Sequence, residues 1–306
     1  MVDVYLVSGF LGSGKTTLLL RFLHQVKESG RKPAVLMNEF GEMNIDGDKI
    51  ATEEGDVPIR EILNGCICCT GSENTEAQIQ TLLAENDDID VLFIETTGAA
   101  HPVEALDAVY SPLFANELRV KGIVTVLDLK RWQEKMSMSP QMRALFIEQV
   151  RHAHYIVANK SDLLTDGEVA EAMMSIQMMK EGTPILQTTN AEVNIRDVER
   201  ALVGEADKIE GDFHEAHHLP LASKVIELER PIHRERFEQW LRTLPDTVYR
   251  MKGYVPLGTS KPYSFQYAYG MTQWLPELVT MPARLVVIGE GIASLELPES
   301  VYETDG

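Results

Sequence analysis

Residues 9–16, Gly-Phe-Leu-Gly-Ser-Gly-Lys-Thr, match the phosphate-loop pattern G-x-x-x-x-G-K-[ST], and few short strings restrict a fold as tightly. The pattern works only where a buried strand hands the chain to a helix N-terminus, because loop N–H groups and the helix dipole must converge on phosphate oxygens. Its surroundings meet that condition. Residues 2–8 form an apolar run of strand length, and 16–29 carry apolar side chains at helical spacing until Gly30 stops them. The expectation is an α/β domain with a mostly parallel sheet. In it Gly9, Gly12, Ser13 and Gly14 give backbone N–H groups to phosphate, Lys15 reaches the β and γ phosphates, and the Thr16 hydroxyl goes to Mg²⁺.

The chain downstream fits that plan. Residues 32–37 read as a strand, followed by Asn38, Glu39, Phe40, Gly41 and Glu42 where a nucleotide-sensing loop would sit. A short strand is expected at 57–63, and Asn74 or Thr75 would cap a helix running to about residue 85. Residues 90–95 are apolar and end in Glu95, ahead of Thr96, Thr97 and Gly98. This resembles a Walker B strand with Glu in place of Asp: Glu95 would hold Mg²⁺ directly or through water, and the Gly98 amide would sense the γ-phosphate. Two more strands, 122–128 and 154–158, follow, and the second runs into Asn159-Lys160-Ser161-Asp162. N-K-x-D is a guanine signature. A carboxylate at Asp162 accepts hydrogen bonds from guanine N1–H and its 2-amino group, which adenine cannot offer, so the wrong base leaves buried polar groups unpaired. Thr188, Thr189 and Asn190, after a strand near 184–187, would complete the base pocket.

All three cysteines, Cys66, Cys68 and Cys69, fall between Gly65 and Gly71. Thiolates at C-x-C-C spacing suit Zn²⁺, which prefers four tetrahedral ligands, so one ligand is left over: Glu39, Glu42 or water. In an extended chain Cys66 and Cys68 would face opposite to Cys69, so convergence requires a turn that the flanking glycines permit. Three protein ligands with a replaceable fourth fit transfer better than permanent structure. The other reading, buried or redox-active thiols, lacks the C-x-x-C spacing of a redox helix start. No export signal is recognised at the N-terminus, so the cytoplasm is expected; three cysteines cannot all pair internally, and that reducing compartment would keep them as thiols available to metal. No apolar run approaches the ~18 residues of a membrane span.

With 28 basic and 47 acidic residues the net charge is -19, which repels nucleic-acid phosphates and anionic lipid. Neither nucleic acid nor membrane is expected as a partner. The 306 residues suggest two domains: a phosphate-loop domain at 1–204, an acidic linker at 205–220 carrying His214, His217 and His218, and a small α+β domain at 221–306. In the last, 224–229, 249–255, 264–269 and 284–288 read as strands and 234–244 as a helix. The linker histidines read as solvated, and His101 as a loop cap. Met173, Met174, Met178 and Met179, at near-helical spacing, are expected in a core rather than at a Cu(I) site.

Phosphate loop through Thr17, Asn38–Glu42, Gly65–Cys69, Glu95–Gly98 and Asn159–Asp162, in that order, resemble the CobW-type GTPases, of the SIMIBI class and related to the GTPases of hydrogenase and urease maturation. Residues 250–253 and 285–289 resemble that family's small second domain. The resemblance implies that Thr17 joins the nucleotide site, that GTP is hydrolysed to GDP with Mg²⁺, and that Zn²⁺, or in some branches Co²⁺ or another transition metal, is handled for a client metalloprotein; a homodimer is a separate expectation. Two departures stand out: the long His-rich tract of many members is missing, and Met37 occupies a position that is a carboxylate in some relatives. Two function classes therefore compete: a metallochaperone that transfers Zn²⁺, and a GTP-dependent regulatory module that senses metal without passing it on. A small-molecule P-loop kinase is disfavoured by Asn159–Asp162. Because the cysteine segment lies between the first nucleotide-sensing loop and the Walker B strand, γ-phosphate contacts would change sulfur geometry, and metal would in turn change GTP affinity.

Overall fold

A computed structural model describes residues 1–38, 57–62, 72–96, 98, 106, 108–207, 222–245, 247–258, 262–268, 271–277, 281–289 and 291–303. The chain divides into two compact units, one of Met1–Val109 with Glu117–Glu215, the other of Tyr110–Asn116 with Ala216–Gly306.

The first unit is built on seven strands: β1 (Val2–Ser8), β2 (Pro33–Asn38), β3 (Ile59–Ile62), β4 (Val91–Glu95), β5 (Leu118–Asp128), β6 (Tyr155–Asn159) and β7 (Ile185–Gln187). They lie side by side in the order β3-β2-β4-β1-β5-β6-β7, and every pairing is parallel. This is the mostly parallel α/β sheet expected from the sequence. Parallel strands need crossovers; α1 (Lys15–Glu28), α2 (Ser72–Glu85), α3 (Leu129–Gln133), α4 (Pro140–Arg151), α5 (Asp166–Met179) and α6 (Ile195–Asp207) are the helices of this unit among the described residues. Both faces of the sheet are covered, which is why its strands are apolar without alternation. Along β6, Tyr155 and Val157 join a core with Leu19 and Phe22 of α1 and Val198 of α6. Ile156 and Ala158 face the other way, into a core with Trp132 of α3, Phe146 of α4 and Ile176 of α5.

The methionines of α5 divide. Met173 and Met179 pack against the second core, but Met174 and Met178 are exposed. The expectation of core packing for all four is therefore wrong for these two: they lie i, i+4 on one stripe of the helix, while the buried stripe is Val169, Ala172 and Ile176. None of the helices among the described residues is long and apolar enough to cross a membrane.

The second unit is an antiparallel five-stranded sheet in the order β11-β10-β9-β12-β8, with β8 Ala222–Glu227, β9 Val248–Val255, β10 Tyr263–Ala268, β11 Met271–Pro276 and β12 Arg284–Gly289. Helix α7 (Arg234–Leu241) drives Phe237 against Phe265 and Trp274, with ring centroids 5.0 and 5.8 Å away. This is the small α+β unit the alternating strands led us to expect. Pro112 and Phe114, from the inserted Tyr110–Asn116 segment, are buried in it.

Candidate functional site

Parallel strands all end on one edge, and crevices beyond their C-terminal ends are where open α/β sheets bind ligands. Strands β1, β4 and β6 end there in Ser8, Glu95 and Asn159. The phosphate loop leaves β1 and enters α1 at Lys15. Gly9, Gly12 and Gly14 all have positive φ. At Gly14 (φ +109°) a Cβ would stand 2.6 Å from Asn159 Nδ2, so only glycine fits. Ser13 is fully buried, its N–H donates to Phe10 O at 3.1 Å, and its Oγ has no hydrogen-bond partner among the described residues. A buried hydroxyl in a loop of turned-in N–H groups suits an arriving phosphate oxygen. Lys15 is buried at the foot of the loop and its Nζ donates to Phe10 O at 3.4 Å. Thr16 and Thr17 are half-buried in the first turn of α1.

The Thr16 hydroxyl donates to Glu95 Oε1 at 3.2 Å. The residues read as Mg²⁺ ligands from motifs 79 positions apart are thus brought together, Glu95 being buried at the end of β4. A hydroxyl and a carboxylate beside a phosphate loop are the hard oxygen donors Mg²⁺ takes. Just beyond, Thr96 N–H donates to Val7 O at 3.1 Å and ties β4 to β1. Gly98 presses against the phosphate loop: a Cβ on it would lie 2.4 Å from Leu11 N.

At the end of β6, Asn159 is buried and bridges two loops. Its Nδ2 donates to Ser13 O at 2.8 Å, and its Oδ1 accepts from Ala191 N at 2.9 Å. Lys160 takes a left-handed φ of 61° and its Nζ lies 2.7 Å from Asp128 Oδ2. Asp128, buried at the end of β5, also accepts from Arg131 N at 3.1 Å and so caps α3. Asp162 sits exposed in the short 3-10 turn that follows. Ser161 Oγ donates to Thr188 O at 3.1 Å and meets Thr189 Oγ1 at the same distance. The 188–190 segment is therefore beside N-K-x-D, as expected.

Three participants have no motif in the sequence. Asp128 was read only as the end of a strand; its signal was an acid closing a buried run, as at Glu95. Ala191 contributes a backbone N–H, which no residue type encodes. Gln149 reaches Gly98 from α4. Cys66, Cys68, Cys69, Glu39, Glu42, Thr97, His101, His214, His217 and His218 lie outside the described residues. Among the described residues no group of three or more His, Cys, Asp or Glu is placed to hold a metal ion.

Residues 3–187 match the family described as CobW/HypB/UreG, nucleotide-binding domain, and 221–303 match the Cobalamin synthesis protein cobW C-terminal domain. The chain is 32% identical over 201 residues to "Zinc chaperone CobW" of Pseudomonas aeruginosa, covering 58% of this chain and 52% of that protein. It is 38% identical over 165 residues to "Zinc chaperone YeiR" of Escherichia coli, covering 54% and 48%. The chain thus spans about half the length of these relatives. Its fold is similar to that of the Zn(II)-bound YjiA GTPase from E. coli, at a TM-score of 0.52 and 22% identity over 95% of this chain and 94% of that one. With the nucleotide-binding match spanning more than half its length, the chain belongs to the CobW/HypB/UreG family.

Proposed function

We propose that this protein hydrolyses GTP to GDP and phosphate and uses the cycle to control Zn²⁺ held by Cys66, Cys68 and Cys69, which it passes to a client metalloprotein. The observation that carries the nucleotide half is the Asn159 bridge, with Ser13 O at 2.8 Å on one side and Ala191 N at 2.9 Å on the other. One side chain locks the base loop to the phosphate loop, so a nucleotide spanning both meets a prebuilt cleft and little binding free energy goes into ordering it. In this reading the N–H groups of Gly9 to Gly14, with Lys15, hold the phosphates, Thr17 lies beside them, and Asp162 reads guanine next to Asn159 and Lys160. Thr16 and Glu95 would hold Mg²⁺, which when bound neutralises charge on the phosphate oxygens. The Gly98 amide would distinguish GTP from GDP. Family membership and relatives named as zinc chaperones support the metal half.

The cysteines supply three ligands to the cargo, and Glu39, Glu42 or water the fourth. Co²⁺ is the alternative cargo. The described end of β3, Ile62, lies in the same parallel sheet as the ends of β1 and β4, and in the sequence Cys66 follows it by four positions. A reducing cytoplasm would keep the thiols available. GTP and the client are the partners this reading requires; a homodimer is an assembly state that sedimentation would test.

Free-phosphate release from GTP and ATP tests the enzymatic half: we expect GTP to be preferred by at least about 100-fold, because a site built to hydrogen-bond one base rejects the other. Comparable turnover of ATP would sink the assignment. For the metal half, Zn²⁺-loaded protein mixed with a chromophoric chelator should release metal on GTP turnover. Turnover without release would favour the regulatory module that senses metal and keeps it.

A further inference from the structure

We infer that Gln149 is a positioning residue for the Gly98 amide and so for discrimination between GTP and GDP, an inference that rests on the nucleotide reading above. Gln149 lies on α4, 51 positions from Gly98, and its Nε2 donates to Gly98 O at 3.2 Å. Of the two ends of the Gln149 amide only the NH₂ can donate to a carbonyl, so this contact also fixes which way the amide is turned. The other side of Gly98 is closed by the phosphate loop, where a Cβ would lie 2.4 Å from Leu11 N and 2.8 Å from Leu11 Cα. The Gly98 residue is therefore held between Leu11 and Gln149, and the orientation of its backbone depends on both.

Gln149 is itself well anchored. It is 1% exposed, and Thr125, a fully buried residue of β5, donates its hydroxyl to Gln149 O at 3.0 Å. The Gln149 Oε1 is buried with no hydrogen-bond partner among the described residues. The bond that its NH₂ donates to Gly98 O is the one side-chain hydrogen bond of Gln149 among the described residues. The Gly98 N–H belongs to the peptide plane before its Cα and the Gly98 O to the plane after it, so the donor from α4 acts on the N–H through the Cα; with Leu11 closing the other side, the two contacts together restrict the rotations that aim the N–H before the γ-phosphate arrives.

The test compares wild type with Gln149→Leu, and with Gln149→Met should the leucine variant not fold, using the full chain. We expect the variant to bind GDP within about twofold of wild type, to lose about tenfold or more in affinity for a non-hydrolysable GTP analogue, and to lose a similar factor in kcat, while its thermal unfolding midpoint without nucleotide falls by no more than about 4 °C. Equal losses for GDP and the analogue would assign Gln149 a merely structural role and overturn the inference. So would unchanged analogue affinity and kcat. Wild-type protein that binds neither guanine nucleotide would instead overturn the functional reading, and this inference with it.

Discussion

Replacing Asn159 by alanine isolates the joint between the two halves of the nucleotide cleft. Asn159 is 3% exposed and makes two well-formed bonds to backbone, to Ser13 O at 2.8 Å and from Ala191 N at 2.9 Å. Truncation removes both and leaves a buried carbonyl and a buried N–H, each costing about 1–3 kcal/mol if nothing replaces the partner. Taking the low half of that range for each gives about 2–4 kcal/mol, because water can enter the space the side chain leaves. If that energy holds the loops in their binding arrangement, GDP affinity should fall by about 30- to 1,000-fold. Isothermal titration with GDP measures it, with urea unfolding of the nucleotide-free protein alongside. Asn159→Asp separates the two contacts: the carboxylate still accepts from Ala191 N but cannot donate to Ser13 O, so it should lose affinity while holding the base loop. Affinity of Asn159→Ala within threefold of wild type, in a folded protein, would refute the claim that this bridge preorganises the site.

Three further outcomes follow from the same geometry. Glu95→Gln removes the carboxylate charge beside the Thr16 hydroxyl, and the Mg²⁺ concentration for half-maximal hydrolysis should rise by about tenfold or more, as measured by titrating Mg²⁺ at saturating GTP. Gly98→Ala puts a methyl against the Leu11 backbone; equilibrium binding should show the GTP analogue weakened and GDP little changed, with unfolding reporting about 1–3 kcal/mol of overpacking. Burial, and then the nearby Glu199 carboxylate, push the Tyr5 phenol well above its ordinary value of 10.0. The folded state then favours the protonated form, so this contribution is intact below pH 10 and is lost progressively as pH rises from there through the folded value. Unfolding free energies at pH 8–11 should fall more steeply for wild type than for Tyr5→Phe.

How much of this was legible depended on whether a residue's role is written in its own chemistry. The phosphate loop, Glu95 and Asn159–Asp162 are side chains at fixed offsets from strand ends, so pattern alone brought them to one edge of one sheet. Strand β5 was read as 122–128 but spans Leu118–Asp128, because Arg119 and Lys121 hide its first half from an apolar criterion. Strand β11 escaped notice for a related reason: all but one of its residues are exposed, as suits a sheet edge. Gln149 and Ala191 could not be found. Their parts depend on a helix crossing and a backbone N–H, which exist only once the sheet has closed. The exposed Met174 and Met178 carry a similar lesson, since near-helical spacing identifies a helix without saying which of its stripes is buried. The place of Tyr110–Asn116 in the second unit likewise has no mark in the sequence.

The central claim is that nucleotide and metal report on each other through one domain. The measurement that bears on it most directly is a Zn²⁺ competition titration of wild type and of Cys66→Ser, Cys68→Ser and Cys69→Ser, each in GDP and in a non-hydrolysable GTP analogue. The account predicts sub-nanomolar binding by wild type, at roughly -12 kcal/mol or tighter, lost in the serine variants. It also predicts a wild-type affinity that differs between the two nucleotides by the same factor by which Zn²⁺ shifts affinity for the analogue relative to GDP. Equal Zn²⁺ affinity in both nucleotides, or tight binding that survives loss of the thiols, would contradict it.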